Sequence, residues 1–402
     1  MSISQKNKKL SFDILFFTTI SLLIFFRETC WLIEGSFKGD EFAYYQQGIT
    51  KSFLENLFFI YPGTGVMMFW SNITNAIISN FSYEIAKILA KYFTVFVYFF
   101  IILFIYYSKS TLLISKSSKI FSAFVILVSP PMTPEVWMSS AHLRGYFGVL
   151  TFFLLFLDFK NQKKILNNLS YFLIFFSGIC SIYSTALTPV FFLKFYLKRS
   201  KENFISFFSS LLSFVIQSII VLNYTISNIT NTGRYHFELD FFYNYFYNII
   251  IKTFFGSTLP KMIFVNTEIY LIKNFNFLVY FLFVILVIIS IFYILKKKDK
   301  TIYLMFCSLI LLSGLVFFGS VQPGFAGGRY GVTTGVIFLF IVFRLYSIEK
   351  NFLLKNILLI LLSSSIIVGS IEYSYKSPLP DALKCNDYSI NYNAFKGKYG
   401  PF

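Results

Sequence analysis

The sequence predicts an all-α polytopic membrane protein. About 11 transmembrane helices are expected (roughly 10–12), with a cytoplasmic N-terminus and a large first outside loop that carries interfacial helices. Three observations predict it. Hydrophobic residues make up 56% of the 402 residues and charged residues only 13%, about half the charged share of a soluble domain; the mean hydropathy is +0.67. Apolar runs of spanning length recur along the chain. Short basic clusters separate alternate runs, as expected for cytoplasmic connections.

The runs lie near 11–26, 85–107, 119–137, 145–159, 169–184, 187–197, 204–223, 275–295, 302–321, 332–347 and 356–372. The first follows a basic stretch, MSISQKNKKL, but is followed by Arg27, Glu28, Thr29, Cys30 and Trp31, not by a small-residue cleavage site. It reads as an uncleaved span. The pair at 169–197 is short for two ordinary spans, which predicts tilted or partly inserted helices broken at Thr185–Pro189. Alternating from a cytoplasmic N-terminus puts 20 of the 35 basic residues inside and 13 of the 18 acidic residues outside.

This organisation gives one membrane domain, 1–372, and a short non-cytoplasmic tail, 373–402. The outside connections are 27–84, 129–144, 224–274 and 322–331, whereas the inside ones are brief basic clamps, so function is expected outside. The net charge of +17 is scattered between apolar runs without a basic stripe or arm, which excludes a nucleic-acid partner; the bilayer is the partner the composition predicts. The four cysteines show no CxxC spacing and so no zinc or redox motif. Cys180 and Cys307 lie in apolar runs as small core residues, and Cys30 and Cys385 share the outside.

Two stretches carry chemistry-bearing residues at the membrane edge. In GSFKGDEFAYYQQG, at 35–48, Asp40 and Glu41 open a segment with Phe42, Tyr45, Ile49, Phe53 and Leu57 at helical spacing. This predicts an amphipathic interfacial helix over 41–57. Asp40 would cap it and Glu41 would suit its dipole, which is the plain alternative to a chemical role. A Tyr61-Pro62-Gly63 turn and a second apolar stretch follow. In PGFAGGRYG, at 323–331, Arg329 sits between paired glycines and Tyr330-Gly331 at the mouth of a span. Close backbone approach and exposed N–H groups there favour an anion; a snorkelling interfacial Arg is the alternative.

The uncleaved first span, the acidic pair opening an interfacial helix, the Tyr-Pro turn, the Thr188-Pro189 break and GGRYG together resemble the GT-C superfamily. These are integral-membrane glycosyltransferases that use polyprenyl-phosphate sugars, among them protein mannosyltransferases and aminoarabinose transferases. The resemblance covers the overall topology, and its motifs are short. It implies a sugar donor carried on polyprenyl phosphate and a glycan, lipid or protein acceptor at the outer face of a bacterial inner membrane. It also implies a catalytic role for Asp40, with Glu41 as its neighbour, and for Glu135 in the second outside loop. No cofactor is required; a divalent metal, if present, would be shared by Asp40 and Glu135. The family's His-Pro-Pro-like turn is Tyr-Pro-Gly here, so no histidine role carries over.

Such a transfer needs a carboxylate to take the acceptor's proton and a cation to hold the leaving phosphate, best an Arg fork. The donor-phosphate candidates are Arg329 with Tyr330, Arg144 and Arg234. Each has an ordinary alternative as a loop or interface residue, as does Glu135. His142 and His236 read as interfacial or hydrogen-bonding residues. Two other functions fit the same topology. An O-antigen or capsule repeat-unit polymerase would carry a large, Arg-rich late outside loop. A polyprenyl-glycan flippase or other transporter would carry charges buried in its spans, whereas the spans here read as nearly charge-free.

Overall fold

The computed structural model describes residues 3–27, 32–33, 35, 37, 41–60, 65–128, 139–227, 251–256, 299–319 and 331–375. The expected span at 275–295, Cys30, Cys385 and most of the tail lie outside the described residues. Among those described, all regular structure is helical, apart from the isolated bridges Ile60–Met67 and Ser110–Leu157. The helices, in order, are α1 (Ile3–Arg27), α2 (Glu41–Gly48), α3 (Phe53–Leu57), α4 (Phe69–Ile78), α5 (Tyr83–Tyr107), α6 (Lys116–Val128), α7 (Arg144–Leu155), α8 (Lys164–Cys180), α9 (Ile182–Thr185), α10 (Thr188–Leu197), α11 (Lys201–Ser227), α12 (Lys252–Phe255), α13 (Lys300–Gly319), α14 (Gly331–Ile348) and α15 (Phe352–Tyr375).

Four of these are long and apolar enough to cross a membrane: Tyr83–Tyr107, Lys201–Tyr224, Gly331–Ile348 and Phe352–Ile371. Shorter apolar helices occupy Ser11–Phe26, Arg144–Leu155, Lys164–Cys180, Ile182–Leu197 and Lys300–Leu315. The bundle centres on α7, where every residue from Gly145 to Leu155 is buried, as a helix apolar on all sides requires. The outer helices differ. Over residues 11–26 of α1 only the stripe Phe16, Ile20 and Ile24 is buried, while Ile14, Leu15, Leu22 and Phe26 are exposed. On α11 and α15 the apolar windows are 22% and 17% buried, so their wide apolar faces point away from the protein, as a lipid-facing surface would.

Contacts fix helix direction. At one end, α5 and α7 finish together: Thr111 N–H donates to Phe156 O (2.8 Å) and Asp158 N–H to Lys109 O (2.9 Å). Lys119 there donates to two carbonyls at the C-terminal end of α5, Tyr106 O (2.9 Å) and Ser108 O (2.6 Å), capping the negative helix end. The same end holds Asp299, whose carboxylate accepts from the Arg344 guanidinium (2.8 and 3.2 Å) and from Thr301 N–H (2.8 Å) at the start of α13. We call this the basic end. The opposite end carries α2–α4 and the starts of α7 and α14, joined where Thr333 Oγ donates to Gly145 O (2.9 Å).

Two expectations change here. The helical spacing over 41–57 predicts one helix, but the chain forms α2 and α3 with a turn between. Ser52 accepts from Glu55 N–H (3.3 Å) and Glu55 accepts from Ser52 N–H (2.7 Å), a capping box that starts a new helix and breaks the old one. Phe42 and Tyr45 therefore pack with Phe37 and Tyr83, while Ile49 and Phe53 are exposed. The break in 169–197 is also earlier than Thr185–Pro189. The chain reverses at Ser181, which is extended (φ −156°), and the descending arm α9–α10 is only kinked at Ala186–Leu187 before Pro189 starts α10. Cys180 is buried and Cys307 half-buried, both as free thiols.

The α8–α11 crossing is close because α8 presents Gly178. A Cβ there would sit 2.0 Å from Ser213 Oγ and 2.4 Å from Ser213 Cβ. Small residues permit such backbone approach between membrane helices. Gly178→Ala should cost about 1–3 kcal/mol of stability through overpacking, read as a lower thermal midpoint in detergent, and Ser213→Gly in the same chain should restore it.

At the basic end, burial pushes the Asp299 carboxyl up, but the Arg344 fork and the Thr301 and Ile302 N–H groups outweigh it and hold it below the ordinary carboxylate range. A depressed pKa contributes stability above the unfolded value of about 3.9, lost as pH falls through the folded value. The thermal-stability advantage of the natural chain over Asp299→Asn should be full at pH 5 and above and shrink below about pH 4.

Candidate functional site

Glu41 sits in the first turn of α2 and is 2% exposed. Lys91 Nζ donates to its Oε2 at 2.6 Å, and Lys91 is itself fully buried. Lys91 lies eight residues into α5, about 12 Å along the helix at 1.5 Å per residue. The other carboxylate oxygen accepts twice from Ser140, from its N–H (2.6 Å) and its hydroxyl (2.8 Å). Ser140 opens a 3-10 turn, Ser140–His142, that leads directly into α7. One carboxylate thus joins the first connection, a long apolar helix and the segment before α7.

Polar side chains of α4 complete the junction. Ser71 Oγ donates to Ser140 O (2.7 Å). Asn75 Nδ2 donates to Asn56 Oδ1 (3.3 Å), and Asn56 Nδ2 donates to Gly48 O (2.9 Å), the last residue of α2. Asn72 Nδ2 donates to Leu57 O (3.0 Å) and Phe59 O (2.7 Å), holding the end of α3. α4 is apolar by count yet buries Ser71, Asn72, Thr74 and Asn75, because α2 and α3 are too short to satisfy their own terminal carbonyls. A cavity of about 10 Å³ remains beside Glu41, lined by Tyr44, Ser71, Asn75, Ile78, Ser140 and Ala141.

Arg144, the first residue of α7, is half-buried at the same end, with Nη1 3.9 Å from Met68 Sδ. Its carbonyl accepts from Ser181 Oγ (2.6 Å), the residue where the chain reverses after α8. Met67 is gripped by Gln217 of α11. Gln217 Nε2 donates to Met67 O (2.8 Å), and Gln217 Oε1 accepts from Met67 N–H (3.2 Å). The same amide reaches the carbonyls of Gly178 and Ile179 at the end of α8 (3.3 and 3.1 Å). His142 is buried in the 3-10 turn.

Of the expected site residues, Glu41 and Arg144 are described, and the Ser140 turn brings them to one end of the bundle. Asp40, Glu135, Arg234, Arg329 and Tyr330 lie outside the described residues. Their chain neighbours are placed: Glu41 follows Asp40, Ser139 comes four residues after Glu135, and Gly331, directly after Tyr330, begins α14 at the end where Thr333 meets Gly145. Among the described residues no group of three or more His, Cys, Asp or Glu gathers as a metal would need. The Asp40–Glu135 pair proposed for a metal lies outside them.

Three contributors escape the sequence reading. Lys91 is an exception within spans that read as nearly charge-free: it is a buried cation inside one of the long apolar helices. A lone Lys well inside an apolar run was the available signal, since such a charge is costly without a partner. Gln217 and Ser140 gave none, because their roles depend on contacts 150 and 99 residues away in sequence. Comparison with known protein families matches none of them, and comparison with characterised proteins finds no similar chain.

The junction makes a specific energetic demand. Removing one member of a buried pair strands the other charge, at about 3–5 kcal/mol, whereas replacing both with apolar or neutral groups of like size is often neutral. Lys91→Met and Glu41→Gln alone should each sharply lower thermal stability in detergent, and the double substitution should recover most of the loss. Additive losses would show that the pair does not couple.

Proposed function

We propose that the protein is a membrane glycosyltransferase that moves a sugar from a polyprenyl-phosphate donor to a glycan, lipid or protein acceptor at the outer face of the inner membrane. The observation supporting this reading is convergence. The residue after Asp40, the arginine that starts α7 and the helix that directly follows Arg329-Tyr330 all meet at one end of the bundle. The basic residues Lys109, Lys160, Lys198 and Lys300 belong to the other end, which on the positive-inside rule faces the cytoplasm.

Each group then has a role. Asp40 removes the proton of the acceptor hydroxyl as that oxygen attacks the sugar's anomeric carbon. The bond from that carbon to the phosphate oxygen breaks through an oxocarbenium-like transition state. Positive charge from Arg144 and Arg329, with Arg234, holds the departing phosphate. Glu41 is a positioning residue: with Lys91 and Ser140 on its oxygens, it fixes α2, and so the chain next to Asp40, against α5 and α7. Glu135 belongs to the same loop as Ser140 and assists Asp40.

A second reading has its own support. The buried Lys91–Glu41 pair is the kind of intramembrane charge that a polyprenyl-glycan flippase or other transporter employs. Proteoliposomes holding radiolabelled polyprenyl-phosphate-linked sugars separate the two. The transferase reading predicts time-dependent consumption of the lipid-linked sugar. Asp40→Asn should lower that rate at least about 100-fold, the usual worth of a general base, with the thermal midpoint unchanged. Movement of intact donor between leaflets without consumption would instead favour the transporter.

A further inference from the structure

The basic end contains a cavity of about 300 Å³ that the proposed transfer does not use. It lies between the loop after α7, the α10–α11 turn and the start of α13. Its lining includes Lys160, Lys194, Lys198 and Lys300 against two carboxylates, Asp158 and Glu202. The carboxylates are engaged nearby: Asp158 Oδ2 accepts from Asn161 (2.5 Å), and Glu202 is hydrogen-bonded by Ser200. Lys194 is held structurally, donating to Leu155 O at 2.5 Å with its ammonium 5.3 Å from the Phe159 ring. Among the described residues Lys160, Lys198 and Lys300 make no side-chain hydrogen bond or salt bridge, although Lys160 lies within electrostatic reach of Glu202, and all three line one concavity. Four lysines against two carboxylates leave a net positive charge in the lining that a bound anion would neutralise.

The neighbouring surface narrows the anion. Leu197 lines the cavity and is 42% exposed, and Tyr196, Phe204 and Phe208 beside it on α10 and α11 are also exposed. A free phosphate has no use for that apolar strip, whereas an acyl chain does. The geometry points to a phospholipid site: a phosphodiester headgroup seated among Lys160, Lys198 and Lys300, with its acyl chain along the outward face of α10 and α11. Recognition of an anionic headgroup by such a basic pocket between helices follows from surface electrostatics, at roughly a fivefold change in affinity for each lysine near the surface.

The test titrates the full-length protein in nanodiscs of phosphatidylcholine with phosphatidylglycerol and reads the thermal midpoint. Phosphatidylglycerol should raise it at a few mole per cent. The triple variant Lys160→Gln, Lys198→Gln, Lys300→Gln should need on the order of 100-fold more lipid for the same shift. A control that removes equal charge at exposed positions outside the cavity (Lys109→Gln, Lys163→Gln, Lys350→Gln) should respond like the natural chain. Inorganic phosphate in phosphatidylcholine discs is the other arm. An equal shift from phosphate would overturn the lipid assignment in favour of a free-phosphate site. Equal weakening in the control would overturn the cavity and leave only diffuse surface charge.

Discussion

Burying an ammonium group 12 Å along an apolar helix is tolerable only when an opposite charge comes to meet it, and here Glu41 does. The consequences run outward from that one contact. To reach Lys91, the first turn of α2 must lie against the flank of α5 instead of out in solvent. The second carboxylate oxygen then needs donors, and Ser140 supplies two from the chain just before α7. α7 is the helix around which the bundle packs. The polar face of α4, the short α3 and the position of Arg144 are all built on this junction.

Each end of the bundle holds a charged pair, Lys91–Glu41 at one and Arg344–Asp299 at the other, but the groups around those pairs differ. At the Glu41 end, asparagine and serine side chains satisfy the carbonyls of short helices, which cannot close their own ladders. At the basic end, lysines and an Arg–carboxylate clamp act on helix termini and loops. Neutral amides hold a fixed shape independent of pH. Charged clamps suit a boundary with anionic headgroups.

Part of the architecture is legible in the residues, since long apolar runs act locally. The runs at 85–107, 204–223, 332–347 and 356–372 each fall on a helix of spanning length. The local signals mislead where a side chain outweighs periodicity. Ser52 with Glu55 divides a segment whose apolar spacing is continuous, and Ser181 turns the chain before the proline that looks like the break. The site is less legible. Asp40 and Glu41 stand side by side in the sequence, and only the distant Lys91 and Ser140 reveal that Glu41 is buried. Arg144 reads in the sequence as a phosphate candidate or a loop end, and its place beside Met68, whose neighbour Met67 is held by Gln217, is not visible there.

That glutamine has a consequence for how the chain is made. Its amide supplies both partners for the backbone of Met67, yet 150 residues separate the two. At synthesis rates of about 5–20 residues per second, Gln217 emerges roughly 8–30 s after Met67. Lys91 follows Glu41 after only 50 residues, or roughly 3–10 s. The first connection is therefore docked onto α5 early but locked only once α11 has been inserted. During that interval the nascent protein depends on the insertion machinery or on water to satisfy the polar groups around Met67.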